Sequence, residues 1–167
     1  MSKQRTTIGA LVLSAAALVG LALQEGYTDT AIQPLPGDKW THGFGSTTNA
    51  QGKPLKPGEA ITPPKALEQK LRDVRHFEGA LKGCVTAPLT QGEYDSLVSL
   101  AYNVGADAVC KSTMVRLHNQ GKHAEACAQF DRWTIYQGKD CRDPANRCSG
   151  LAKRRAAERA TCEGAAP

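Results

Sequence analysis

The chain has 167 residues, enough for one domain with a core of its own, and 22% of them are charged. The net charge of +5 is modest and no Lys/Arg stripe with interleaved aromatics appears, which argues against nucleic acid and fits either a plain solvated surface or an acidic polymer such as a bacterial wall. Six cysteines in a short chain with an export-type N-terminus imply disulfides, while the lack of a CxxC pair and of ligand spacing among His42, His76, His118 and His123 argues against a metal site.

The N-terminal residues MSKQRTT carry Lys3 and Arg5 and no acid, so the positive-inside bias puts this end in the cytoplasm and the rest outside. An uncharged run follows from Ile8 to Leu23. As one helix it spans about 24 Å, against about 30 Å of hydrocarbon. Gly9, Ala10, Ser14, Ala15, Ala16, Ala17, Gly20 and Ala22 make it only weakly apolar. Three fates are open: a signal peptide cleaved at Gly20-Leu21-Ala22, a permanent anchor, or a temporary anchor that later leaves the bilayer.

From Tyr27 to Gly58 the chain is rich in turn residues, with Pro34, Pro36-Gly37-Asp38, Gly43 to Gly45 and Asn49. This predicts a small irregular antiparallel sheet with a strand over Lys39 to Phe44. Thr62-Pro63-Pro64 opens a helix to about Lys82, with Leu67, Leu71, Val74 and Leu81 on its apolar stripe. Thr90-Gln91-Gly92-Glu93 has the form of a capping box and opens a helix to Gly105, in which Tyr94, Leu97, Leu100 and Tyr102 read as core. A short helix follows from Lys111 to Asn119, another from His123 to Trp133, and a basic one from Leu151 to Cys162, with the tail from Gly164 read as unstructured. The class is α+β, a small sheet lobe followed by a larger helical lobe. Cys141 and Cys148 bracket a Pro-containing loop and are expected to close it, leaving Cys110 with Cys127 and Cys84 with Cys162 as the expected pairs.

Two pieces carry chemistry. Glu25-Gly26-Tyr27 puts a carboxylate at a helix end that Gly26 can terminate. Thr41-His42-Gly43-Phe44-Gly45 is a hydroxyl residue leading into a Gly-rich strand, where missing side chains let a polymer approach the backbone. His42 alternates to the other strand face and reads as structural.

The order of pieces is informative: Glu-Gly-Tyr, T-x-G-x-G, the Ile61-Thr62 helix start, LTQGEYDSLVSLAYNVG (Leu89 to Gly105), STMVRLHNQG (Ser112 to Gly121) and the G-L-x-x-R-R-x-x-E-R block (Gly150 to Arg159). From about residue 15 onward this resembles the phage-type lysozymes of glycoside hydrolase family 24. The resemblance implies a lysozyme-like fold and hydrolysis of the β-1,4 bond between N-acetylmuramic acid and N-acetylglucosamine in peptidoglycan, with no metal or other cofactor, by a monomer. Glu25 matches the general acid, whose pKa partial burial would raise, and Thr41 the threonine that orients water or substrate. The family's middle carboxylate is missing, since Pro34 and Leu35 stand at its two alternative positions. Asp38, after the Pro-Gly turn, is the expected second carboxylate, with Asp29 or none as alternatives. Asn103 is a candidate for binding an N-acetyl group, and Arg154 and Arg155 for reaching carboxylates, against a solvated basic face.

A lysozyme fold needs a helix before its acid, so cleavage after Ala22 would leave Glu25 on a frayed end. Residues 1–24 are therefore expected to be retained ahead of a catalytic domain over 25–163. A retained, weakly apolar N-terminus resembles the signal-arrest-release endolysins, which implies residence in the host inner membrane and then release to the periplasm. The alternatives are a lytic transglycosylase of the same fold and a non-enzymatic, membrane-tethered wall-binding module.

Overall fold

A computed structural model describes residues 4–165. The chain forms two compact units: Ala15–His76, and Phe77 onward joined by the N-terminal residues up to Ser14.

The first unit opens with α1 (Ala15–Glu25), which buries Leu21 and leaves Val19 and Leu23 exposed. Gly26, at φ +69°, turns the chain out of the helix. Strand β1 (Thr28–Ile32) pairs antiparallel with β2 (Thr41–Gly43), Thr28 opposite Gly43 and Ile32 opposite Thr41, with an irregular register between. The other edge of β1 bonds to Glu59–Ile61, Ala31 N–H donating to the Glu59 carbonyl (2.9 Å) and Ile61 N–H to that of Asp29 (2.8 Å). The irregular sheet is thus present, with a strand shorter than Lys39 to Phe44. Helix α2 (Pro63–Cys84) begins in this unit. Its expected stripe is half realised: Val74 and Leu81 are buried, but Leu67 and Leu71 are exposed.

The second unit is helical. Helix α3 (Gln91–Val104) begins with the capping box read from the sequence, Thr90 Oγ1 accepting from Glu93 N–H and the Glu93 carboxylate from Thr90 N–H. It buries Tyr94, Leu97, Val98, Leu100 and Ala101, while Tyr102 is only half-buried. After it come α4 (Ala106–Cys110), which the sequence did not signal, and α5 (Thr113–Asn119). The helix expected from His123 to Trp133 is instead α6 (His123–Ala128) followed by a 3-10 turn at Gln129–Arg132. A hairpin of β3 (Ile135–Tyr136) and β4 (Lys139–Asp140) precedes α7 (Ser149–Glu163). Helix α3 lies so close to α7 at Gly92 that a Cβ there would collide with the Thr161 backbone carbonyl.

The apolar N-terminal run is not one helix. Ile8–Ala10 forms a 3-10 turn, Leu11 is extended, residues 12–14 have no regular structure, and only then does α1 begin. Residues 5–14 form a strap on the helical unit. Thr6 and Leu89 exchange two backbone hydrogen bonds (2.8 and 2.9 Å), and Ile8 and Leu11 are buried. The Arg5 guanidinium grips Glu93 with Nη2 to Oε1 at 2.7 Å and Nε to Oε2 at 3.2 Å. Leu13 N–H donates to Glu78 Oε1 (2.7 Å) and Ser14 N–H to Asp95 Oδ1 (3.0 Å). The helical break has a physical cause: backbone donors that a helix would use internally go to buried carboxylates far along the chain. Among the described residues no helix is long and apolar enough to cross a membrane. Lys3 lies outside the described residues.

Cys141–Cys148 closes its loop as expected, but the other two pairs differ: Cys84 joins Cys110 and Cys127 joins Cys162. The ends of α2 and α4 meet at Cys84 and Cys110, and α6 meets α7 at Cys127 and Cys162, with Cα atoms 5.6 Å apart in both. Nor is the α7 face around Arg155 solvated. Arg155 is buried, its Nε 3.0 Å from Glu158 Oε2, and Arg154 Nε lies 3.3 Å from Glu158 Oε1.

Candidate active site

Glu25 is the last residue of α1, and the T-x-G-x-G segment is brought directly to it. A Cβ built on Gly45, whose φ is +81°, would sit 3.0 Å from Glu25 Oε2 and 3.4 Å from its Cβ and Cγ. Only a residue without a side chain lets the acid lie over this turn. Glu25 is exposed, so close approach to the Gly45 backbone, rather than the expected burial, sets its place. Gly43, at φ +59°, serves a different contact: a Cβ there would meet the Ala66 side chain at 2.8 Å. The polymer-approach reading of these glycines missed both uses.

The turn carrying Gly45 is pinned to α2 by groups the sequence did not single out. Ser46 Oγ donates to Asp73 Oδ2 (2.5 Å), whose Oδ1 accepts from Gln69 Nε2 (3.0 Å). The fully buried Lys70 sends its ammonium to the Phe44 carbonyl (3.2 Å). Beside the acid, the Tyr27 and Phe44 rings lie 5.4 Å apart and Tyr27 Oη donates to the Ile61 carbonyl at 3.0 Å. His42 is buried, with Nδ1 3.2 Å from the Glu59 carbonyl, the structural role expected of it. Polar residues at i and i+3 or i+4 on a helix normally read as a solvated face, which hid Gln69, Lys70 and Asp73.

Thr41 stands opposite Ile32, at the end of the hairpin away from Thr28 and Gly43. Asp38 lies in the loop that joins the strands at that same end. Its N–H donates to the Leu35 carbonyl (3.0 Å), closing a Leu35–Asp38 turn, and Gln33 Nε2 donates to its carbonyl (2.7 Å). The Asp38 carboxylate is exposed on this fixed backbone. Asp29 lies within β1, exposed, with Oδ1 accepting from Thr30 Oγ1 at 3.2 Å.

Asn103 is in the helical unit. Its Oδ1 accepts from Arg155 Nη2 (2.8 Å), which fixes the amide plane. It lines a cavity of about 540 Å³ with Trp133, Ile135, Tyr136, Arg147 and Leu151. Trp133 is half-buried on this wall, and Ile135 and Tyr136 are exposed. An amide held by one oxygen, beside an indole and a phenol, is suited to an acetamido sugar.

Residues 22–158 match the family described as Phage lysozyme. The chain is 34% identical over 153 residues to the endolysin of Acyrthosiphon pisum secondary endosymbiont phage 1, covering 92% of this chain and 99% of that one. It is 28% identical to the SAR-endolysin of Enterobacteria phage P21, over 92% of this chain and 88% of the relative. Its structure resembles that of the endolysin from Escherichia coli O157:H7 phage FAHEc1, with a TM-score of 0.81 and 30% identity over 95% of this chain and 98% of that chain.

Proposed function

We infer the function from a premise and a contact: the chain belongs to the phage lysozyme family, and its Glu25 lies over Gly45 at the end of α1. The protein is an endolysin of the lysozyme type, a glycoside hydrolase acting on peptidoglycan. In the mechanism we propose, Glu25 protonates the glycosidic oxygen of the leaving sugar at the β-1,4 bond between N-acetylmuramic acid and N-acetylglucosamine. Asp38 activates the attacking water from the hairpin loop, and the Thr41 hydroxyl orients it. Asn103 receives an N-acetyl group through its free amide edge. The close seat of Glu25 on the Gly45 turn carries this reading. It fixes a carboxylate at a helix end against a turn that α2 holds in place.

Residues 1–24 serve, in this reading, as a retained signal-arrest-release segment. The run Ile8 to Leu23 first lies in the host inner membrane as one helix with the N-terminus in the cytoplasm. The strapped form, with residues 5–14 on the helical unit, is the form after release to the periplasm. Its support is the SAR-endolysin relative and the weak apolarity of the run. Intact N-terminal residues on soluble, active enzyme after membrane depolarisation are the expected result of fractionation with N-terminal sequencing. A new N-terminus at Leu23 would contradict it.

One observation favours a second reading. The family's middle position holds Pro34 or Leu35, and Asp38 lies in the loop at the end of the hairpin away from Gly43. A lytic transglycosylase needs only Glu25. Product mass separates the two, hydrolysis leaving a reducing muramic acid and transglycosylation an anhydro product lighter by one water. We expect the hydrolytic product, and for Asp38→Asn a fall in turnover of about 100-fold with the fold unchanged. Full activity in that variant would remove Asp38 from the mechanism.

A further inference from the structure

The tips of three side chains outside the active site converge on one point at the N-terminus of α3. His118 in α5 and His123 at the start of α6 face each other through Nδ1 atoms 3.1 Å apart, and His123 Nδ1 is 3.5 Å from Glu93 Oε2. One ligand atom from each of Glu93, His118 and His123 falls within 4.8 Å of the other two. Tetrahedral zinc at bond lengths of about 2.0–2.1 Å spaces neighbouring ligand atoms about 3.3 Å apart. The two measured edges, 3.1 and 3.5 Å, bracket that spacing. His118 is wholly buried, and the His123 side chain keeps a small exposed fraction.

We propose that Glu93, His118 and His123 form a site for a zinc-class divalent ion, and that this ion and the Arg5 side chain exclude one another on Glu93. Two imidazoles and one carboxylate select zinc or cobalt over magnesium and calcium, which take oxygen ligands. The fourth position falls to water. Neutral imidazole is the form that ligates.

Exclusion follows from the grip of Arg5 on Glu93. Arg5 holds both Glu93 oxygens, and its Nε lies 3.2 Å from Oε2, the oxygen facing His123. A divalent ion on Oε2 would stand next to a guanidinium of the same sign. By reciprocity the ion loosens Arg5 and Arg5 weakens the ion. A chain whose strap is elsewhere presents the three ligands without the guanidinium, with Glu93 Oε2 still accepting from Thr90 N–H (2.8 Å). For the membrane-held form this consequence rests on the signal-arrest-release reading of residues 1–24, whereas the site itself does not. His118 and His123 are separated by four residues in H-x4-H form, a spacing that zinc sites use and that the reading of the sequence passed over, and the α5–α6 turn brings the two rings together.

The test uses the metal-free full chain titrated with Co²⁺, followed by the visible bands of tetrahedral cobalt and their loss on adding Zn²⁺. Wild type is expected to bind weakly, and Arg5→Met about tenfold more tightly. His123→Ala placed in the Arg5→Met chain is expected to abolish the bands while near-ultraviolet circular dichroism confirms the fold. The proposal fails if Arg5→Met shows no bands at about millimolar Co²⁺, a weak-site concentration. It also fails if Arg5→Met binds no more tightly than wild type, or if the bands survive His123→Ala. Wall clearing by metal-free wild type tests the enzymatic reading separately and is untouched by any of these outcomes.

Discussion

Glu25→Gln is expected to lower turnover on purified peptidoglycan by about 1,000-fold, the middle of the range for losing a general acid. The substitution is nearly isosteric, and the amide cannot give up a proton to the leaving oxygen. Glu25 is exposed at a helix end, so stability should move by no more than about 0.5 kcal/mol. The decisive measurement pairs reducing-end release with a thermal melt. Lost activity with an unchanged melt places the effect in chemistry. Retained clearing of permeabilised cells would mean that Glu25 is not the acid, while wild type that binds walls without clearing them would leave only a wall-binding module.

Removing residues 1–14 is expected to have the largest effect on the fold. Ile8 and Leu11 are buried by the strap, and each buried side chain of this kind contributes about 1.5–3 kcal/mol. Three buried carboxylates lose a partner: Glu93 loses Arg5, Glu78 loses Leu13 N–H and Asp95 loses Ser14 N–H. Each retains another, from Thr90 N–H, Tyr94 Oη and Gln91 Nε2 respectively, so the low end of about 1.5 kcal/mol per charged hydrogen bond applies. Ordering residues 5–14 opposes these gains by about 1 kcal/mol each and takes back most of them. The expected outcome for a chain of this size is a Tm lower by about 4–8 °C. A fall of less than about 3 °C would show that the helical unit is complete without its strap.

The two variants probe interactions of different range, and range decides what the sequence discloses. Local signals are legible. Thr90 and Glu93 satisfy each other within one turn of α3, and Gly26 ends α1 where Glu25 needs it to end. Partners far apart along the chain are not. Hydropathy reads Ile8 to Leu23 as one helix because it cannot see Glu78 and Asp95 claiming the Leu13 and Ser14 amides. Cysteine pairing follows which helix ends meet, and that is decided by packing rather than by spacing. Gly45 is legible as a glycine needed for close approach, but what approaches it is the chain's own acid.

The disulfides have a consequence for how the molecule ages. Every cysteine lies at or beyond position 84, so all the covalent bracing falls in the helical unit, and the unit of Ala15–His76 that carries Glu25 has none. If Glu25 is the acid, the unit that does the chemistry holds together by non-covalent contacts alone. On slow warming, muralytic power should fade before the helical signal does, and it should return on cooling as long as the braced unit has held.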